Sequence, residues 1–213
     1  MTSKLDIYRG ACQFIGARKI ATLTEDRLTR RELDGVFERG GIRKCLKTGQ
    51  WNFAMRTVRL DYSPSIEPDF GLRRAFDKPT DWVRTCGVAE DEYFKSPLTE
   101  YMDETGYWFA DLDVIYVRFV SDDTQYGLDY ANWPSDFTSY VEAWFGLQIH
   151  DRVVNNANKK EQLKEEVRKL LVEAKSRDAM DEAAAFLPQG SWTRSRRGSR
   201  SHNDRGNPNQ LIG

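Results

Sequence analysis

Apolar residues recur along this chain with two different periods, and the switches between them divide it into parts. Leu5, Tyr8, Cys12 and Ile15 are spaced by three, four and three residues, which places them on one face of a helix ending near Gly16. A second helix is expected from about Thr24, whose hydroxyl suits an N-cap, with Glu25 and Asp26 in the first turn where the helix dipole favours negative charge. Its apolar face carries Leu33, Val36 and Phe37, then Ile42, Cys45 and Leu46. Gly40 and Gly41 interrupt that face as a kink, and Gly49 suits the position just beyond the helix end.

From Trp51 the period falls to two. Ala54, Val58, Leu60 and Tyr62 alternate with Met55, Thr57, Arg59 and Asp61, the pattern of a half-buried strand. Pro64 and Pro68 break it before a second extended piece around Leu72 to Phe76, and a third strand fits Trp82 to Val88. Tyr107 to Ala110 and Val114 to Val120 read as a hairpin turning at Asp111, Leu112 and Asp113.

At Trp133 and Pro134 the helical period returns, with Phe137, Tyr140, Val141, Trp144 and Gln148 on one face. A last helix is expected from about Lys159 to Phe186, striped by Leu163, Val167, Leu170, Leu171 and Ala174. Glu165 with Lys169, and Glu173 with Arg177, stand four apart as ion pairs. Beyond Leu187 and Pro188, Ser, Arg, Gly and Asn dominate and no apolar face can form.

This order predicts an α+β fold. An antiparallel-type bundle of about four helices comes from residues 1–50 and 134–186, with a small β domain, 51–133, inserted between the second and third long helices. An extended arm, 187–213, follows.

With 213 residues, 39% apolar and 12% aromatic, the chain can bury a substantial core of its own. Its apolar runs are too short to span a bilayer or to form the core of a signal peptide, so a protein made and assembled in the cytoplasm is expected. Cys12, Cys45 and Cys86 are too scattered for a disulfide framework or a zinc site and read as small hydrophobes. The net charge of −1 conceals a division: +5 over residues 1–50 (11 basic, 6 acidic), −8 over 51–133 (8 basic, 16 acidic), −2 over 134–186 and +4 over 187–213. A nucleic-acid binder is more often basic across its folded part.

The chain contains no nucleophile elbow, no HExxH, no paired CxxC and no glycine-rich phosphate loop. No catalytic residue, metal or cofactor is therefore expected, and a hydrolase would need an acid/base pair that the sequence does not supply. His150 and His202 lie in different segments, and each reads as hydrogen-bonded or exposed rather than catalytic. The carboxylates at Glu90–Glu92, Asp111/Asp113 and Asp122/Asp123 read as turn formers and solubilising charge. Dense aromatics, among them Trp51, Tyr107, Trp108, Tyr116, Tyr126, Trp133 and Tyr140, read as core and subunit-interface packing; stacking on nucleic acid is opposed by the acidic segment that carries most of them.

Several motifs occur in a characteristic order: WNFA at 51–54, FDKPTDWVR at 76–84, DEYF at 91–94, ADLDVIYVRFVSDD at 110–123 and YGLDYANWPSDF at 126–137. On these the chain resembles the tail tubular protein A family, the head-to-tail adaptors of short-tailed bacteriophages, over roughly residues 5–149. The resemblance implies a structural virion protein at the head-tail junction, not an enzyme. It would form a ring, usually of about twelve copies, between the portal protein and the tail nozzle protein, with viral DNA passing through. On that reading the basic N-terminal segment and the acidic middle provide complementary charge for a head-to-tail contact between copies. The C-terminal arm would dock on a partner, with Trp192 as anchor and Arg194, Arg196, Arg197 and Arg200 pairing with acidic groups. The alternative is a nucleic-acid-binding module with a basic Arg/Ser/Gly tail.

Overall fold

Where the apolar period is helical the chain forms helices, and where it is two it forms strands. The computed structural model describes residues 2–66, 68 and 71–181. Among them are five α-helices and two antiparallel three-stranded sheets, a mixed α+β architecture.

Helix α1 (Lys4–Ile15) opens on a capping box: the Asp6 amide donates to Ser3 Oγ while the Ser3 amide donates to the Asp6 carboxylate. Gly16 closes it at φ 71°, a left-handed conformation that a side chain would strain. Helix α2 (Leu28–Glu38) starts later than its sequence predicts. Thr24 does not cap it; Thr24 pairs with Thr22 at 3.2 Å, and Glu25 takes the Ala21 amide and the Arg27 guanidinium, which ties this stretch into a loop. Gly40 breaks the helical path rather than kinking it: at φ 75° it separates α2 from α3 (Gly41–Lys47). Gly49 serves by close approach, since a Cβ there would sit 2.7 Å from the Trp51 indole.

A short 3-10 turn, Asn52–Ala54, leads into β1 (Met55–Asp61), followed by β2 (Arg74–Asp77), β3 (Trp82–Ala89), β4 (Met102–Asp103), β5 (Tyr107–Ala110) and β6 (Val114–Ser121). One sheet has the order β1-β6-β3 and the other β2-β5-β4. The expected hairpin between β5 and β6 does not form, because each strand is the centre of a different sheet. Strand β6 is edged by β1 and β3, and β5 by β2 and β4, so neither has a free edge to offer. Asp111, Leu112 and Asp113 carry the chain from one sheet to the other.

Alternation along β6 gives it two cores to face. Ile115, Val117 and Phe119 point into a cluster with Phe76, Val88, Trp108 and Ala110, between the sheets. Val120 joins Val83 and Ala54 in the larger helical core.

Helix α4 (Ser135–Val153) is at the centre of that core, packing against α1, α2, α3 and α5. Its buried set is accordingly wider than the predicted face: Ala143, Phe145, Gly146, Ile149 and His150 are buried as well, whereas Gln148 is exposed. Glu142 lies over Gly10, and one turn later Gly146 lies against Ala11, Phe14 and Ile15, so α1 and α4 run in the same direction. The salt bridges Lys160–Asp151 (2.5 Å) and Arg177–Asp136 (3.1 Å) show α5 (Ala157–Asp181) running against α4. Two expected pairs within α5 are therefore replaced. Arg177 reaches the first turn of α4 instead of Glu173, and Glu165 pairs with Arg168 at 2.6 Å instead of Lys169. No described helix is long and apolar enough to cross a membrane.

Burial in the α1–α4 seam, reinforced by the Asp6 carboxylate, pushes the Glu142 carboxyl up to about 7. The native chain thus holds this proton more tightly than the unfolded chain, where it titrates near 4.5. Stability on this account is complete below that value and is lost as pH rises through 7. Urea unfolding between pH 5 and 8 should show the loss, and Glu142→Gln should flatten it, making the variant the more stable protein at pH 8 by about 1–3 kcal/mol.

Candidate functional site

The densest polar constellation joins the two sheets. Lys78, in the loop between β2 and β3, has a side chain only 5% exposed; its ammonium lies 4.0 Å above the Trp82 ring and bonds the Asp103 carboxylate and the Glu104 carbonyl, each at 2.5 Å. Thr85 Oγ1 donates to Asp103 at 2.6 Å and accepts from the indoles of Trp82 (3.1 Å) and Trp108 (3.0 Å). Burial works to raise the Asp103 carboxyl, but the Lys78 ammonium and the Thr85 and Trp108 donors outweigh it and hold it below the usual carboxylate range. An open cleft of about 550 Å³ lies alongside, lined by Lys78, Trp82, Asp103, Glu104, Thr105 and Gly106. Every charge in the network is matched within it, so its chemistry is that of a clamp: β3 on one side, β4 and β5 on the other.

A second network pins the first sheet. Asp81 accepts from Arg56 (2.8 Å) and Ser121 (2.5 Å), which ties the segment before β3 to β1 and β6. The acidic clusters are dispersed over the fold. Asp91 accepts the Lys95 and Ser96 amides within its own turn, Asp111 accepts the Arg73 amide, Asp113 pairs with Arg74 and Asp122 with Arg43. Among the described residues no group of three or more His, Cys, Asp or Glu side chains is arranged to hold a metal ion.

Two exposed surfaces stand out at opposite ends of β3. At its start, α3 presents Arg43, Lys44 and Lys47; Arg39 precedes them, and Arg84 reaches the Lys47 carbonyl at 3.5 Å. Arg43 pairs with Asp122 at 2.6 Å, whereas Arg39, Lys44, Lys47 and Arg84 have no carboxylate partner among the described residues. Just past the end of β3, residues 90–96 form a tight loop that holds Tyr93 71% exposed. Asp91 secures its backbone, Phe94 adopts φ 54°, unusual for a side-chain-bearing residue, and the Arg118 guanidinium lies 4.7 Å from the Phe94 ring. Glu90 and Glu92, which precede it, are exposed, and the Lys95 ammonium lies 5.3 Å from the Tyr93 ring centroid.

His150 departs from expectation: it is 1% exposed, and neither ring nitrogen has a hydrogen-bond partner. Its Nδ1 lies 3.7 Å from the Asp151 carboxylate, beyond bonding distance. Its place on α4, which packs against α1, α2, α3 and α5, explains the burial. Cys12 and Cys45 are buried and Cys86 half-buried, all free thiols, pushed up by burial. His202 and the expected docking residues Trp192, Arg194, Arg196, Arg197 and Arg200 lie outside the described residues. Sequence reasoning missed the Lys78–Asp103–Thr85 network because its members stand 7 to 25 positions apart with no shared period. The basic face of α3 was visible as Arg43, Lys44 and Lys47, spaced to share one side of a helix.

Removing the clamp should loosen the sheets without touching the helices. Lys78→Met leaves Asp103 uncompensated and should cost about 2 kcal/mol in urea unfolding, Thr85→Val about 1 kcal/mol, and the double variant less than their sum. Strict additivity would show that the three groups do not act together. No protein-family model matches this chain, and no curated protein matches it.

Proposed function

We propose that this protein is a structural head-to-tail adaptor of a short-tailed bacteriophage. Its copies form a ring of about twelve between portal and tail nozzle, and DNA passes through without sequence-specific binding. In this reading the helices make a bundle, and the strands between α3 and α4 are a domain inserted in its long crossover. Residues 187–213 are an arm that docks on the portal through Trp192 and its neighbouring arginines.

The observation that carries the reading is where the resembling motifs go. Trp51 and Phe53 of WNFA pack on Trp133 and Phe137 of NWPSDF, with ring centroids 4.7 Å apart for Trp51 and Phe137 and 4.8 Å for Phe53 and Phe137. The motif FDKPTDWVR supplies Lys78, Asp81 and Trp82, which fasten the strands. Residues of this kind maintain a scaffold, and a scaffold is what an adaptor needs. The unpaired cations around α3 favour a second reading, a nucleic-acid-binding module; that reading requires duplex affinity falling steeply with salt.

Negative-stain microscopy and light scattering on the purified protein, alone and with portal rings, should show closed rings of about twelve. A protein that stays monomeric under both conditions contradicts the adaptor. Ending the chain after Phe186 should leave the thermal unfolding transition in place and abolish attachment to portal rings. Undiminished attachment removes the arm from the account.

A further inference from the structure

The tip of the loop after β3 is built to keep an aromatic ring in solvent. Three devices hold it: the Asp91 carboxylate caps the Lys95 and Ser96 amides at 3.1 and 2.8 Å, Phe94 takes a left-handed conformation, and Arg118 lies over the Phe94 ring. With Phe94 half-buried against Arg118, its neighbour Tyr93 is left 71% exposed. A preorganised, exposed tyrosine loses little conformational entropy on contact, and such residues are enriched among those that carry binding energy.

The ring's surroundings define its counterpart. Glu90 and Glu92, both preceding Tyr93, are exposed, and the ring already draws a cation, the loop's own Lys95 ammonium, 5.3 Å from its centroid; the tip favours a guanidinium- or ammonium-bearing surface. The chain carries such a surface at the α3 corner, where Lys44, Lys47 and Arg84 lack carboxylate partners among the described residues. It cannot bring the two together within one molecule. Arg84 and Glu90 are separated by six residues of extended strand, roughly 20 Å at about 3.3 Å per residue. Two complementary surfaces at opposite ends of one strand are what a head-to-tail contact between identical copies uses.

We infer that the Tyr93 loop of one copy docks on the α3 basic corner of the next, with Tyr93 stacked against its arginines and Glu90 and Glu92 facing Lys44 and Lys47. The inference deepens the ring reading above and rests on it.

Charge exchange tests it with the full chain. One variant carries Lys44→Glu and Lys47→Glu, the other Glu90→Lys and Glu92→Lys, and circular dichroism verifies that both are folded. Each alone should need a concentration at least about tenfold higher than the parent to self-associate, because like charges now face each other. Mixed in equal amounts they should recover assembly, since every contact in an alternating arrangement is again between opposite charges. Tyr93→Ala should weaken self-association by a similar factor without changing its salt dependence. If the parent assembles and the two charge variants assemble equally well, the docking is wrong while the ring stands. A parent that assembles neither alone nor with portal rings overturns both. If the α3 variant loses only duplex-DNA binding, the corner serves a polyanion and the docking is again wrong.

Discussion

The chain leaves its helices at Trp51 and returns to them at Trp133, and the fold depends on those two points being held together. They are held by aromatic contact. Phe137 lies with its ring centroid 4.7 to 4.9 Å from those of Trp51, Phe53 and Trp133, and Tyr130 packs edge-on to Trp133 at 5.0 Å. The Trp133 indole also donates to the Gly127 carbonyl at 2.9 Å, which fixes the ring that begins α4. A joint of this kind brings together residues some eighty positions apart, and the entropy of closing so long a loop must be met by contacts concentrated at its ends.

From that joint the sheets extend outward, and β6 links them to the helices. Its alternate residues face different cores, Phe119 toward the second sheet and Val120 toward the helices. Strand β6 is paired on both sides, and β3, with register shifts at Trp82/Arg84 and Thr85/Gly87, runs along it from the α3 corner to the Tyr93 loop. The clamp at Lys78 and the Arg56–Asp81–Ser121 network keep the sheets from sliding. Apart from Glu142 in the α1–α4 seam, the charges described above are either matched within a network or left on a surface that faces outward.

Periodicity located nearly every element. The end of α1 near Gly16 and the change of period at Trp51 were legible because each depends on residues within a few positions of one another, whereas Gly40 read as a kink and is a break. Thr24 shows the limit even of local rules, since Glu25 had better partners in the Ala21 amide and Arg27 than in a helix start. The clamp was not legible at all. Lys78 reads as a surface lysine until Asp103 and two indoles arrive from other strands.

Local spacing and composition set the order of most helical and extended segments and where charge accumulates, though not β4 or the separation of α2 from α3. Only the tertiary structure decided that β5 and β6 part into different sheets, that α4 is surrounded and buries His150, and that Arg177 crosses to Asp136. Strand edges, helix neighbours and ion-pair partners are assigned by competition among distant segments, and the outcome of that competition has no signature in the spacing of any one of them.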